Sequence, residues 1–370
     1  HALGAKVYDP EGRAYHDMLS AYSALNFGHL HPEIVAAAME QLQKVTLTSR
    51  AFHNAVLGDF YERLCDLTGK AMILPMNTGA EAVETALKTA RRWGVEVKGV
   101  ANEQQEIIVC ANNFHGRTIA IISFSTDPSA RINYGPYTPG FKIIPYGDAA
   151  ALEQAVTDRT VGFLVEPIQG EAGIIVPPEG YLRQVREICT RNNILMIADE
   201  VQTGFARTGR MFACQYEQIS PDILVMGKAL GGGIMPVSAI AADAEVLGVY
   251  TPGTHGSTFG GNPLACAVAI KAMEILVRDD YPQMAAEKGA YFMERLRQIK
   301  NPHIKEIRGK GLLIGMEFDH PAEEYLDKMM AHGVLAKDTH ECTIRFAPPL
   351  TISYAELDDA CDRITQALQE

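Results

Sequence analysis

A chain of 370 residues, 47% hydrophobic and 21% charged, is sized for about two domains around a substantial core. Its formal net charge of −12 argues against nucleic acid and anionic membrane surfaces as partners, and no apolar run approaches the roughly 18 residues of a membrane span. Seven cysteines, odd in number and without a Cys-x-x-Cys pair, fit a reduced compartment rather than a disulfide framework.

His1 stands within what reads as a strand, so we expect residues upstream of it, where a targeting peptide would fall. Lys6 to Asp17 read as a hairpin that turns at Asp9-Pro10-Glu11-Gly12. Tyr22 follows, then Gly28-His29-Leu30-His31-Pro32. His-x-His is a metal-ligand spacing, but no third ligand cluster stands near it and His31-Pro32 simply begins a helix over about 32–44; no residue is assigned to a metal. A further helix spans 54–68. Asn77-Thr78-Gly79-Ala80-Glu81 then opens a long helix to about Lys98, which puts unpaired N–H groups and the positive end of the helix dipole at one point. Such an entry can cradle an anion, although many helices that begin Thr-Gly bind nothing.

From 107 the pattern changes to short β-rich runs at 107–111, 119–124, 141–145, 161–166, 194–199, 223–227 and 237–241, with helices near 149–156 and 180–192. Uninterrupted apolar runs such as Leu195-Met196-Ile197-Ala198 indicate parallel strands covered on both faces, hence an α/β fold. Functional residues of such sheets collect at the carboxyl ends of strands, and here those ends carry Glu166, Asp199 and Lys228. Lys228 ends an apolar run and is followed by Gly231-Gly232-Gly233. Cut off from water, a lysine loses solvation and its pKa falls, which suits a Schiff-base amine; the alternative is a lysine that reaches the surface beside a turn. A helix from Asn262-Pro263 to about Val277 and another near 283–299 lead into a smaller α+β unit, with strands near 305–308, 312–318, 333–336 and 343–346 and a closing helix from about 354. Gly309-Lys310-Gly311 has the wrong spacing for a dinucleotide loop. We expect residues 1–30 to form an N-terminal segment packed with the small domain, 31–270 a large domain and 271–370 a small C-terminal domain.

These residues match the demands of a pyridoxal 5′-phosphate site: a lysine for the aldehyde, a carboxylate for the ring nitrogen, donors for the phosphate, and flat apolar walls. Lys228, Asp199 and Thr78-Gly79-Ala80 can supply the first three, with Phe114 and Val201 as candidate walls. The stretches Leu47–Phe52, Pro75–Gly79, Val165–Gly173, Ala198–Gly204, Met226–Leu230, His255–Pro263 and Ile344–Pro349 carry a resemblance that covers nearly the whole chain. It is to the class III aminotransferases of fold type I, and within them to the members that act on ornithine. The resemblance implies a large domain with a mainly parallel mixed sheet and a smaller α+β C-terminal domain. Lys228 would hold the cofactor and then shuttle a proton, Asp199 would keep the ring nitrogen protonated, and Gln202 would meet the phenolic oxygen. Phe114 and Val201 would sandwich the ring. Gly79 and Ala80 would bind the phosphate, with Ser257 and Thr258 reaching over from the neighbouring subunit of a homodimer whose active sites are shared.

For the substrate, the resemblance implies that Arg117 takes the carboxylate at the far end and that Arg345 takes the α-carboxylate of glutamate or 2-oxoglutarate. Glu171 would cover Arg345 while ornithine is bound, through a bidentate contact, and Tyr22 would shape the channel. Without the resemblance, the two arginines read equally as surface or ion-pair residues, Tyr22 as packing and Glu171 as a loop carboxylate. The implied activity is transfer of the δ-amino group of L-ornithine to 2-oxoglutarate in two half-reactions. Alternatives are an ω-aminotransferase for N-acetylornithine, 4-aminobutyrate or lysine, an aminomutase of the same fold, and a non-enzymatic interaction protein. Tyr22 argues against the first two of these donors, the Glu171–Arg345 pairing against the mutase, and an intact Lys228 with Asp199 against a dead scaffold. The implied location is the cytoplasm, or the mitochondrial matrix should a transit peptide precede His1. His115 stands where an aromatic residue is frequent in the family, with no role assigned.

Overall fold

The computed structural model describes residues 1–370. Its strands fall into three sheets. The first begins with β1 (Ala2–Leu3), β2 (Lys6–Tyr8) and β3 (Ala14–Asp17). The second holds β4 (Met72–Met76), β5 (Glu106–Cys110), β6 (Phe141–Ile144), β7 (Thr160–Val165), β8 (Leu195–Asp199), β9 (Ile223–Met226) and β10 (Ser238–Ala242). The C-terminal part contributes β11 (Ile304–Lys310), β12 (Leu313–Phe318), β13 (Val334–Leu335), β14 (Lys337–Thr339) and β15 (Thr343–Phe346).

The seven-stranded sheet runs β4-β10-β9-β8-β7-β5-β6. β6, β5, β7, β8 and β9 are parallel, and β10 lies antiparallel between β9 and β4, so the sheet is mixed. Every residue of β7, β8 and β9 is buried, as their unbroken apolar sequences require when both faces are covered. Alternate side chains divide between two layers. Ile107, Val109, Leu164, Ile197 and Val225 pack with Ala82, Val83 and Ala86 of the helix Gly79–Glu96. Ile108, Phe163, Val165 and Met196 pack with Leu182, Val185 and Ile188 of the helix Tyr181–Arg191. At about 1.5–3 kcal/mol for each large aliphatic side chain removed from water, these two layers fix the sheet and therefore the strand ends.

The smaller C-terminal domain is built on the antiparallel sheet β11-β12-β15-β14. β13 pairs instead with β3, Val334 opposite His16 and Leu335 opposite Asp17, which joins the N-terminal strands to this part of the chain. Arg207, fully buried, ties three regions together. Its Nε and Nη2 donate to Asn26 Oδ1 at 3.2 and 2.7 Å, and its Nη1 donates to the carbonyls of Leu312 and Pro348 at 2.9 and 2.6 Å. Burial without a carboxylate in contact pushes its pKa down to about 9.

Two local expectations need correction. Residues 119–124 are not a strand: Ile119–Ile122 form one helical turn that buries Ile121, Ile122 and Phe124. Packing of those three side chains overrides the β preference of an isoleucine-rich run. Met72–Met76, given no structure from sequence, is the edge strand β4, where Pro75 is tolerated because one side of the strand has no partner.

Candidate active site

The ends of β7, β8 and β9 open on one cavity with about 670 Å³ of space, part of it open to solvent. Gly79, Ala80, Phe114, His115, Glu166, Glu171, Asp199, Val201, Gln202 and Lys228 are among its lining residues. Its floor is Lys228, which follows β9 in a left-handed conformation with φ of 44°. That backbone is strained for a residue with a Cβ and persists only where the surroundings impose it. The lysine lines the cavity; desolvation lowers its pKa, and the negative charges of Glu171 and Asp199 oppose that only in part.

Asp199, at the end of β8, is held at both oxygens. Oδ1 accepts the Val201 N–H at 3.0 Å, and Oδ2 lies 2.6 Å from His115 Nδ1. Burial alone would lower the pKa of His115, but the hydrogen bond and charge of Asp199, with Glu166 beyond, outweigh it and raise it. His115 Nε2 is buried and has no partner. Glu166 at the end of β7 accepts the N–H groups of Phe114 at 2.9 Å and Gly170 at 3.3 Å, which anchors both flanking loops. Its own burial pushes its pKa up to about 7.

The helix Gly79–Glu96 aims its N-terminus at the same cavity. A capping box engages Thr78: its hydroxyl accepts the Glu81 N–H at 3.2 Å while Glu81 accepts the Thr78 N–H at 2.8 Å. Thr78 is thus a cap outside the cavity lining, and the N–H groups of Gly79 and Ala80, unpaired at the start of a helix, are those left for an anion. A Cβ at Gly170 would fall 1.5 Å from Gln202 Oε1, so any side chain there would displace the Gln202 amide from its present position. Val201 closes against Gly79, where a Cβ would meet its Cγ1 at 3.0 Å.

Arg345, on β15 opposite Gly315, is fully buried. Its Nη1 donates to Glu171 Oε1, and its guanidinium lies over the Tyr22 ring with Cζ 4.9 Å from the centroid. The contact is through one nitrogen, not the bidentate pairing expected: Nε and Nη2 are buried and unpartnered. Glu171 Oε1 is shared with Gln202 Nε2 at 3.3 Å, which leaves the carboxylate turned partly away from the arginine fork. Burial would raise the pKa of Glu171, but Arg345 outweighs it and lowers it. Tyr22 is carried by Ser20–Ser23, four consecutive residues with positive φ, between 47° and 71°. Asp17 Oδ1 anchors this left-handed turn by accepting the N–H groups of Leu19 and Ser20.

Three of the expected residues lie apart. Arg117 is exposed and outside the cavity lining, its Cζ 5.7 Å from the centroid of the Phe114 ring at the rim. Ser257 Oγ accepts the Asn77 side-chain N–H at 2.8 Å, and Thr258 is exposed; neither lines the cavity of its own chain. Sequence reasoning gave no role to His115 or to Glu166. The signal for Glu166 was its place at a strand end, and for His115 its place beside Phe114.

The family model "Aminotransferase class-III" matches residues 1–368. Ornithine aminotransferase of Brevibacillus brevis is 61% identical over 367 residues, spanning 99% of this chain and 92% of that protein. Its counterpart in Bacillus subtilis is 57% identical over 368 residues, spanning 100% and 92%. Among solved structures, ornithine aminotransferase of Toxoplasma gondii superimposes with a TM-score of 0.98 at 45% identity, covering 100% of this chain and 89% of that one. Acetylornithine aminotransferase of Elizabethkingia anophelis gives 0.91, also at 45%, covering 100% and 92%. A match over the full length of sequence and fold, with lysine and aspartate at adjacent strand ends of one cavity, shows that the chain belongs to the class III aminotransferases.

Proposed function

We propose that the protein transfers the δ-amino group of L-ornithine to 2-oxoglutarate, giving glutamate 5-semialdehyde and L-glutamate, with pyridoxal 5′-phosphate as its cofactor. The cavity fits that cofactor: a desolvated amine at Lys228, a hydrogen-bonded carboxylate at Asp199, free N–H groups at Gly79 and Ala80, and apolar surface from Val201 and Phe114. When bound, the cofactor supplies a carbonyl that takes up an amino group and a ring that withdraws electrons from the substrate carbon. Lys228 is in place to take a proton from that carbon and return it elsewhere, since its lowered pKa makes the free amine accessible. Asp199, fixed by His115 and the Val201 N–H, holds negative charge where a ring nitrogen must stay protonated. Gln202 can donate to a phenolic oxygen from the position it holds beside Glu171.

The observation that carries the ornithine reading is the Glu171–Arg345 pair under Tyr22. With Arg345 masked, a monocarboxylate with two amines is not drawn in by its α-end, and Arg117 at the rim can hold its carboxylate while the distal amine reaches Lys228. A dicarboxylate can displace Glu171 and use the two unpartnered nitrogens of Arg345. The Elizabethkingia enzyme is named for acetylornithine, and that donor is the second reading. Tyr22 argues against it, because the resemblance places a tyrosine at this position in the members that act on ornithine.

Ser257 and Thr258 stand outside their own cavity, which supports a homodimer in which they serve the partner's phosphate site. No helix is long and apolar enough to cross a membrane, and the cytoplasm is the location we infer. We infer domain limits of 31–270 and 271–370. A panel of amino donors with 2-oxoglutarate tests the function: ornithine should exceed N-acetylornithine, 4-aminobutyrate and lysine, and a preference for any of those three would overturn the assignment.

A further inference from the structure

Beyond the end of β12, the hairpin β11–β12 brings two imidazoles and a carboxylate together. His303 immediately precedes β11, and Asp319 and His320 immediately follow β12. The backbone fixes this meeting: the Asp319 N–H donates to the His303 carbonyl at 3.1 Å, next to the pair Ile304 and Phe318. Asn301 Oδ1 accepts the His303 N–H at 2.9 Å, which sets the direction in which the histidine leaves the chain. His303 Nδ1 lies 3.1 and 3.3 Å from the two oxygens of Asp319, and His320 Nδ1 lies 2.6 Å from Asp319 Oδ1. The two rings meet edge to face, with centroids 4.8 Å apart. No lysine or arginine pairs with Asp319; its ion partners are the two histidines alone.

We propose that His303, Asp319 and His320 form a binding site for a divalent transition metal ion of the zinc, nickel or cobalt type. The three ligand atoms already lie within 4.8 Å of one another. Around a tetrahedral ion with bonds of roughly 2.1 Å they would stand about 3.4 Å apart, so small side-chain rotations close the site. About half of each side chain is open to solvent, which permits that rotation and gives an ion entry. Each ring now faces the carboxylate with Nδ1. On binding, each neutral imidazole keeps one proton, moved from Nδ1 to Nε2, and the freed lone pair on Nδ1 takes the metal. Two imidazoles with one carboxylate select borderline ions over magnesium or calcium, which prefer oxygen sets. The remaining coordination positions would be water. The ion would clip the entry of β11 to the exit of β12 at a place the catalytic cavity does not reach. The Nδ1 assignments separate this cluster from His29, whose Nε2 is engaged 2.8 Å from Asp17.

The test uses the tag-free holoenzyme, stripped with a chelator, and isothermal titration with zinc or nickel chloride. One equivalent per chain should bind in the micromolar range, and magnesium and calcium should not compete. His303→Ala and His320→Ala should each weaken that equivalent by about tenfold or more, and together abolish it, since each removes a ligand. Transamination rate and the cofactor spectrum should be unchanged in all three variants, which reports that they are folded. Cobalt should give visible d–d absorption in the parent and not in the double variant. An undiminished equivalent in the double variant, or no binding by the parent, would overturn the proposal.

Discussion

Replacing Glu171 by alanine separates the two substrates by their charge. Arg345 is fully buried and meets Glu171 through one nitrogen, with two more nitrogens unpartnered. A hydrogen bond to a charged group is worth about 1.5–3 kcal/mol, and a dicarboxylate must break this one before it binds. Removing the competitor should therefore raise the affinity of the amino-loaded enzyme for 2-oxoglutarate, and of the resting enzyme for glutamate, by about 10–100-fold. Ornithine gains nothing useful: the bared Arg345 attracts its α-carboxylate and presents the wrong amine. Single-turnover kinetics of each half-reaction, followed by absorbance, would give the two rate constants and affinities. The glutamate half-reaction should gain on the ornithine half-reaction, and NMR should find two pyrrolines, with the carboxylate on ring carbon 5 or carbon 2. Taking away one partner of a buried pair also destabilises, by about 3 kcal/mol here, because Glu171 is partly open to the cavity. A variant with the parent ratio of half-reactions and δ-transfer alone would refute the masking role.

Lys228→Ala should abolish turnover, and borohydride reduction of the parent followed by peptide mapping should place the cofactor on Lys228 and nowhere else. His115→Ala removes the donor 2.6 Å from Asp199; turnover should fall by about tenfold while His115→Gln, which can still donate, recovers part of it. The Glu166 pKa of about 7 lies above its ordinary 4.5, so the folded state binds more protons between those values. Stability should fall as pH rises through that window, by about 3 kcal/mol in all above pH 7, and Glu166→Gln should flatten the curve when denaturant midpoints are measured from pH 5 to 8. Asn26→Leu leaves Nε and Nη2 of the buried Arg207 without their acceptor and should cost about 3 kcal/mol by denaturant unfolding.

What the sequence made legible was whatever one short stretch could encode. Unbroken apolar runs announced β7, β8 and β9 and therefore brought Glu166, Asp199 and Lys228 to adjacent strand ends. The run Asn77-Thr78-Gly79-Ala80-Glu81 announced a helix start, but the reciprocal cap between Thr78 and Glu81 within it was not read. Features made by distant packing were not legible. Four successive residues at positive φ have no compositional marker in Ser20-Ala21-Tyr22-Ser23, where no glycine stands. The single-nitrogen geometry of Arg345 depends on Gln202 sharing Glu171 Oε1 across a loop in which Gly170 makes room. Ile119–Ile122 and β4 were missed because burial and an edge position overrode what isoleucine and proline suggest locally.

The measurement that bears most directly on the central claim follows a single nitrogen. L-ornithine labelled with ¹⁵N at the δ-position alone is incubated with 2-oxoglutarate and the holoenzyme, and the products are separated for NMR. The geometry of Arg345, Glu171 and Lys228 requires the label to appear as the α-nitrogen of glutamate, leaving an unlabelled pyrroline with its carboxylate on carbon 5. Label retained in the pyrroline, with unlabelled glutamate, would mean that the α-amine reacts and would contradict the account.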